Sequence, residues 1–288
     1  MVEAIENRPL DLIYIMGSGR SGGTLLSQML NRHPCIFSVG EVYNYQYFFL
    51  TVDQFDRLCS CGERLNECDF WSAVNDELGV KTDDDLLDLK LSAGERFINN
   101  NYLLLSAVRK QSRCDIIVDS SKRHYRLQTL LSSGLFNVVI IHLIRDPRAY
   151  AYSSMLTEMR KGSSSNIFFK KLIDWTRKNF GIWLIYGWRK KYLRMRYEDL
   201  VEDPQRQMQR LIELLSKQVG KSSFNDPSGV SSHEFSGNSR SIKKGLAEVK
   251  LDTRYLSGVT TKRWFVASLI VVPITMLFRY PIFSRRTP

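Results

Sequence analysis

A chain of 288 residues with 43% apolar content is long enough for one large domain, or one domain with a sizeable insertion, and its composition excludes wholesale disorder. The formal charge of +11 suits an anionic partner, and without an RRM, zinc-finger or helix-turn-helix signature a small anionic ligand is favoured over nucleic acid. Five cysteines, an odd number, argue against a secreted disulfide framework. Residues 1–10 are polar and lack the apolar core of a signal peptide, so a reducing, cytoplasmic setting is expected.

The first predicted strand, 12–16, runs into Gly17-Ser18-Gly19-Arg20-Ser21-Gly22-Gly23-Thr24-Leu25-Leu26, and a helix is predicted over 24–31. Backbone N–H groups in such a turn point inward and meet the positive end of the helix, so the loop attracts phosphate. Against the pattern G-x-x-x-x-G-K-[ST] it matches at Gly17, Gly22 and Thr24 and fails at Gly23, where the lysine belongs. Loss of that lysine argues against ordinary ATP or GTP hydrolysis, which needs a cation on the β- and γ-phosphates. Arg20 supplies a charge from inside the loop.

The second strand, 35–39, leads to Gly40-Glu41. The stretch 43–110 is too long for one crossover and reads as a helical insertion, with helix over parts of 83–111. The third strand, 116–118, ends in Asp119-Ser120-Ser121, and the fourth, 138–144, in Arg145-Asp146-Pro147. A helix over 170–188, a short strand at 192–197 and a helix over 203–217 follow. Asp203-Pro204 opens the last of these as N-cap and first helical position, and Met208, Leu211, Ile212 and Leu215 recur at helical spacing. Residues 222–245 begin rich in Ser, Gly, Asn and Pro and read as a lid loop.

Residues 264–278 are nearly all apolar. The run is short for a bilayer span and carries Pro273 in its middle, so a buried terminal helix over 264–282 is expected. The flanking basic residues leave peripheral membrane contact through 264–286 as the alternative. Unbroken apolar strands alternating with helices predict an α/β fold: a P-loop-type, doubly wound parallel sheet flanked by helices, within one domain spanning 1–288. Ligands of such sheets bind at the carboxyl ends of the strands, where Arg20, Glu41, Asp119, Ser121, Lys122, Arg145 and Ser153 fall.

This set resembles the sulfotransferases that use 3′-phosphoadenosine 5′-phosphosulfate (PAPS), in particular the bacterial and Golgi-type branch. The segment from Gly17 to Leu26 is similar to the family's 5′-phosphosulfate loop, P-R-S-G-T-T-L, with Gly19 replacing proline and Gly23 replacing threonine. Val39-Gly40-Glu41 resembles its G-E step, and Val118-Asp119-Ser120-Ser121-Lys122 its D-S-S-K. Leu143-Ile144-Arg145-Asp146-Pro147-Arg148-Ala149 with Ser153 resembles the 3′-phosphate motif. Arg196-Tyr197-Glu198-Asp199-Leu200 is similar to R-Y-E-D-L, and His233 to Asn238 with Arg240 to a late H-x-x-x-G-N-x-x-R segment. Cys59-Ser60-Cys61-Gly62 with Cys68-Asp69-Phe70-Trp71 resembles a stretch of the bacterial members.

The resemblance implies PAPS as co-substrate, a hydroxyl on a small molecule, glycan or lipid as acceptor, and no metal in the transfer. It implies Glu41 as general base, with Arg20 and Lys122 stabilising the sulfuryl group. Gly19, Arg20, Ser21, Gly22, Gly23, Thr24 and Leu25 would form the cradle, with Arg145, Ser153, Tyr197 and Arg240 holding the rest of the nucleotide. The plainer readings are a helix-capping Glu41, an Arg145 paired with Asp146, a core Tyr197, a surface His124 and a hydrogen-bonded core His142. Asp119 sits where a Walker B acid would and is given a structural role. Two other function classes compete: a P-loop kinase or NTPase, and a non-catalytic nucleotide- or membrane-surface-binding module.

Cys59, Cys61 and Cys68 with His33 fit no standard zinc spacing. They read as packing residues of the insertion or as one reversible disulfide, and Phe70 and Trp71 read as core.

Overall fold

The computed structural model describes residues 9–50, 58–89, 94–162, 164, 166–219, 232–235 and 250–285. Five strands form one parallel sheet in the order β2-β3-β1-β4-β5: β1 Leu10–Gly17, β2 Ile36–Gly40, β3 Ile116–Asp119, β4 Phe136–Ile144 and β5 Tyr192–Arg196. β1 and β2 both pair with β3, Ile13 opposite Val118 and Ile36 opposite Ile116. Every residue of β1, β2 and β3 is buried, which is why their sequences are unbroken apolar runs rather than alternating ones. β1 extends back beyond the predicted 12–16 through Asp11, whose buried carboxylate accepts a hydrogen bond from Asn137 Nδ2. A charged residue at that position hides the strand's start from a hydropathy reading.

The described residues pack as two compact units, one drawn from Met1–Met16, Gly23–Ile141 and Met208–Glu248, the other from Gly17–Gly22, His142–Gln207 and Val249–Pro288. In the first, α1 (Gly23–Leu30) follows β1, and β2 ends in a short 3-10 turn, Val42–Asn44. The insertion contributes α2 (Tyr45–Leu50), α3 (Asp69–Glu77) and α4 (Glu95–Ser112); α5 (His124–Ser132) follows β3. Trp71 is fully buried, its ring edge-on to Phe235 and Phe49, so it is core as expected.

In the second unit, α6 (Pro147–Met159) starts where Asp146 accepts a hydrogen bond from the Arg148 amide and Pro147 takes the first helical position, so Arg145-Asp146-Pro147 is a helix-start signal as well as a motif. It is followed by α7 (Ile167–Tyr186), α8 (Tyr197–Glu202), α9 (Pro204–Val219), which crosses into the first unit's residues, α10 (Arg254–Gly258) and α11 (Thr261–Phe278). Ala151, Leu172, Tyr255, Trp264, Ala267 and Val271 form one core cluster among α6, α7, α10 and α11. α11 buries this face and leaves Phe265, Leu269, Ile270 and Met276 exposed on the other. By length and composition it is apolar enough to cross a membrane, with a mean hydropathy of 1.4.

Candidate active site

The loop after β1 bends at residues only glycine serves well. Gly17 has φ +139°, and a Cβ there would lie 2.2 Å from the Leu143 carbonyl oxygen; Gly22 has φ +92°, and a Cβ there would lie 2.5 Å from Cδ2 of Tyr197. Between them Arg20 adopts φ 63° with its side chain exposed. Four non-glycine residues among those described have positive φ: Arg113 and Arg279 close the C-termini of α4 and α11, an ordinary place for it, whereas Arg20 and Lys122 do not end helices. Left-handed backbone at a non-glycine residue costs about 1–3 kcal/mol and tends to persist at functional sites. Ser21 Oγ is buried with no hydrogen-bond partner among the described residues, and Gly19 has open space where a Cβ would stand. Thr24 and Leu25 lie in the first turn of α1.

Within the first unit the chain after β2 and the chain after β3 are tied together. The Ser120 amide donates to the Gly40 carbonyl at 2.8 Å, and the Tyr43 amide donates to Ser121 Oγ at 2.9 Å. Asp119 holds that turn: Oδ1 accepts from the Ser121 amide and hydroxyl, and Oδ2 accepts from Arg126 Nε at 2.8 Å. Both carboxylate oxygens of Asp119 are thus engaged in structure. The buried Tyr14 hydroxyl fixes the next residue, donating to the Arg123 carbonyl at 3.0 Å. Clamped this way, Lys122 Nζ reaches Glu41 Oε1 at 2.9 Å, and Asn44 Nδ2 donates to Glu41 Oε2 at 3.0 Å. Glu41 stands at the N-cap of the 3-10 turn but makes no side-chain capping bond there. The capping alternative therefore gives way to an ion pair.

The same lysine explains the irregular loop. A Cβ at Gly23 would lie 3.1 Å from Lys122 Cε and 3.3 Å from Lys122 Nζ. The ammonium group at the end of β3 occupies the space beside the position where a Walker lysine would begin.

In the second unit Arg145 donates through Nη1 to the Arg20 carbonyl at 3.2 Å and through Nη2 to Asp252 Oδ2 at 3.1 Å. Its guanidinium lies 4.8 Å from the centre of the Tyr197 ring, and its buried Nε has no hydrogen-bond partner among the described residues. The plainer reading of Arg145, a pair with Asp146, is not found: Asp146 pairs with Arg148 at 2.7 Å, because the N-cap geometry turns its carboxylate into the helix, and Asp252 takes Arg145. Hydrogen bonds from Arg254, then from Arg145, hold the Asp252 carboxyl well below the usual range. Tyr197, packed between Arg145 and Gly22, has its hydroxyl pKa raised by burial. Ser153 lies on α6, half-buried. Arg240 and most of the lid segment lie outside the described residues.

His142 is a core histidine. Its Nε2 pairs with Asn179 Oδ1 at 2.9 Å and its Nδ1 with the Tyr192 hydroxyl at 2.7 Å. Asn179 Nδ2 donates to the Trp175 carbonyl at 2.8 Å, an acceptor only, and onward to Ser18 Oγ at 3.1 Å; Asn179 Oδ1 is therefore the acceptor and the imidazole proton lies on Nε2. Burial pushes the His142 pKa down to about 4, so the ring stays neutral and the chain Tyr192–His142–Asn179–Ser18 ends on the phosphate loop. His124, half-buried at the start of α5, touches Tyr125.

Two residues with structural weight escaped the sequence reading. Asp252 carries no motif; nothing in the sequence marks it as the partner of Arg145. Glu234, inside the late motif but given no role, is buried, close to Asn31 Nδ2 at 3.4 Å, and burial pushes its pKa up to about 7.

The fold is that of a P-loop-type α/β protein, with Lys122 paired to Glu41 beside the first residue of α1. The sequence profile of the sulfotransferase family matches residues 11–219, and the chain belongs to that family. Among solved structures it is similar to the sulfotransferase domain from the Synechococcus PCC 7002 olefin synthase, at 20% identity over 96% of this chain and 98% of that one, with a TM-score of 0.54. It is similar also to the sulfotransferase domain from the curacin biosynthetic pathway, at 18% identity over 96% and 100% of the two chains, TM-score 0.53. Sulfotransferase STF9 from Mycobacterium avium aligns over 96% of this chain and 79% of its own at 11% identity, TM-score 0.51. These likenesses are of fold. A search of curated protein sequences gave no match.

Proposed function

We propose that this sulfotransferase moves a sulfuryl group from PAPS to an acceptor hydroxyl by in-line displacement. The observation that carries the reading is the Lys122–Glu41 pair set against Gly23. It places a cation and a carboxylate together at the start of α1, where a loop of this type presents phosphate. The acceptor oxygen attacks sulfur, the bond from sulfur to the 5′-phosphate oxygen breaks, and its electron pair stays on that oxygen. Glu41 takes the acceptor proton. Lys122 and Arg20 stabilise the charge developing on the sulfuryl and leaving oxygens. Gly19 to Leu25 cradle the 5′ end, and Ser21 Oγ is a buried donor with a hydrogen bond to give. Arg145 binds the 3′-phosphate through Nε, its unpartnered donor, with Ser153, Tyr197 and Arg240 completing the nucleotide contacts.

The NTPase alternative fares worse, because Asp119 is locked to Ser121 and Arg126 and the space beside Gly23 is filled by Lys122. A non-catalytic binding module has no use for a carboxylate held beside that lysine. The test is to incubate the full chain with labelled PAPS and a panel of sugar, lipid, phenol and peptide hydroxyls and to follow 3′,5′-adenosine bisphosphate. Release of that product is expected. Arg145→Ala should weaken binding of the bisphosphate about 10- to 100-fold, the worth of hydrogen bonds to a charged group. Failure of the unaltered chain to bind either nucleotide overturns the reading.

A peripheral membrane contact is supported by the outer face of α11. Phe265, Leu269 and Met276 are exposed there, Phe283 stacks on Phe265, and Lys262 and Arg279 flank the helix. An apolar face edged by cations suits an anionic lipid surface in the cytoplasm. Vesicles containing phosphatidylserine should sediment the protein, and Leu269→Glu should abolish this; equal recovery with and without vesicles removes the proposal.

A further inference from the structure

The cysteine-rich stretch of the insertion and the late histidine motif meet in the first unit. Sγ of Cys59, Cys61 and Cys68 and Nδ1 of His233 all lie within 4.8 Å of one another. Cys61 Sγ is 3.7 Å from Cys68 Sγ, and Cys68 Sγ is 3.7 Å from Cys59 Sγ. His233 Nδ1 is 3.6 Å from Cys59 Sγ and 3.3 Å from Cys68 Sγ. His33, the histidine weighed with these cysteines and set aside on spacing, accepts at Nδ1 from the Cys35 amide at 3.3 Å. The partner that the fold supplies comes from a segment more than 160 positions along the chain, as the separation of 165 between Cys68 and His233 shows.

Four of the six spacings, 3.3 to 3.7 Å, are close to the edges of a tetrahedral site, and none of the six exceeds 4.8 Å. With zinc–sulfur bonds of about 2.3 Å and zinc–nitrogen bonds of about 2.05 Å, regular tetrahedral angles put sulfurs about 3.75 Å apart and sulfur about 3.55 Å from nitrogen. Cys59, Cys61 and Cys68 are not in disulfides. A disulfide would join two of these three sulfurs at about 2.05 Å and strand the third. Packing alone gives no reason for three thiols and an imidazole nitrogen to point at one common centre.

The surroundings are built to hold that centre. Cys59-Ser60-Cys61-Gly62 forms a tight knuckle, the Gly62 amide donating to the Cys59 carbonyl at 3.0 Å and Gly62 adopting φ +105°. Cys68 is the N-cap of α3. His233 is aimed by its neighbours: its ring stacks on Phe70 with centroids 4.7 Å apart, and its carbonyl accepts from Trp71 Nε1 at 2.9 Å. The Ser60 amide donates to the Glu234 carbonyl at 3.0 Å, and the Glu234 amide donates to Ser60 Oγ at 2.8 Å. Two remote stretches are thereby already in register around the four ligand atoms.

We propose that Cys59, Cys61, Cys68 and His233 form a structural zinc site that bolts the insertion to the late segment carrying Glu234. Four protein ligands close the coordination sphere, so the ion takes no part in group transfer. Binding converts three thiols to thiolates and releases their protons to solvent. Cys61, exposed, gives the ion its way in. The inference stands independently of the transfer reaction proposed above.

The full chain, purified without chelators, should contain about one zinc per molecule by elemental mass spectrometry. Replacing zinc by cobalt(II) in the unaltered chain should give the thiolate-to-cobalt charge-transfer absorption and intense visible bands of a tetrahedral site. Cys68→Ser and His233→Ala should lower metal content at least about tenfold, whereas Cys114→Ser should retain it. Cobalt spectroscopy on the unaltered chain needs no variant to fold. Substoichiometric zinc with no tetrahedral cobalt spectrum, a disulfide among the three cysteines, or metal retained by both ligand variants overturns the site.

Discussion

Lys122→Ala is expected to lower turnover about a hundred- to a thousandfold, the usual cost of removing one donor aimed at developing charge. The measurement is the initial rate of 3′,5′-adenosine bisphosphate formation at saturating PAPS. Lys122 is held by its own turn at φ 57°, so its backbone is strained whether or not the ammonium group is present. Lys122→Gly should therefore lose the same activity while melting at or above the temperature of the unaltered chain. That split separates chemistry from structure: a residue present for stability would lose both together. Glu41→Gln keeps the shape and the hydrogen bond from Asn44 but cannot take a proton at neutral pH, and should cost about a hundred- to ten-thousandfold. Unchanged turnover in Lys122→Ala and in Glu41→Gln sinks the mechanism even if nucleotide still binds.

The largest effect on stability is expected at Arg148. Its side chain is fully buried, and it pairs with the equally buried Asp146 at 2.7 Å. Nη2 also donates to the Pro281 carbonyl and Nη1 to the Ile282 carbonyl, each at 2.7 Å, and Nη1 donates to Ser268 Oγ at 3.2 Å. The Trp264 ring covers the guanidinium at 4.5 Å. One cation thus ties the start of α6 to α11 and to the chain beyond it. Arg148→Met should reduce the free energy of unfolding by about 3–5 kcal/mol in urea titration, because it leaves a buried carboxylate without its counter-charge. The loss should be much greater than the transfer free energy of the side chain itself. A change below about 1 kcal/mol would show that water or another cation reaches Asp146.

The two predictions draw on different halves of one motif. Arg145-Asp146-Pro147-Arg148 reads in the sequence as a phosphate-binding segment. In three dimensions it divides its labour: Arg145 keeps an unpartnered donor, Asp146 and Pro147 start a helix, and Arg148 turns away to pin the C-terminal segment. Residues adjacent in a motif need not serve the same task, since successive side chains at a strand–helix junction point in different directions.

What the sequence by itself determined is local. Parallel strands buried on both faces are mostly apolar, so the strand positions and the α/β class were legible from hydropathy, apart from the start of β1 at Asp11. A tight turn needs glycine where φ is positive or where backbone and ring approach closely, so the turn after β1 was legible at Gly17 and Gly22. Pairings across the chain were decided only by tertiary structure, because they depend on which turns the sheet order brings side by side. Lys122 opposite Glu41 and beside Gly23, Asp252 instead of Asp146 on Arg145, and His233 instead of His33 among the cysteines are all of this kind. Spacing along a chain records distance only within a helix, strand or turn. Between such elements a charge or a ligand atom finds its partner through packing, and no period in the sequence encodes it.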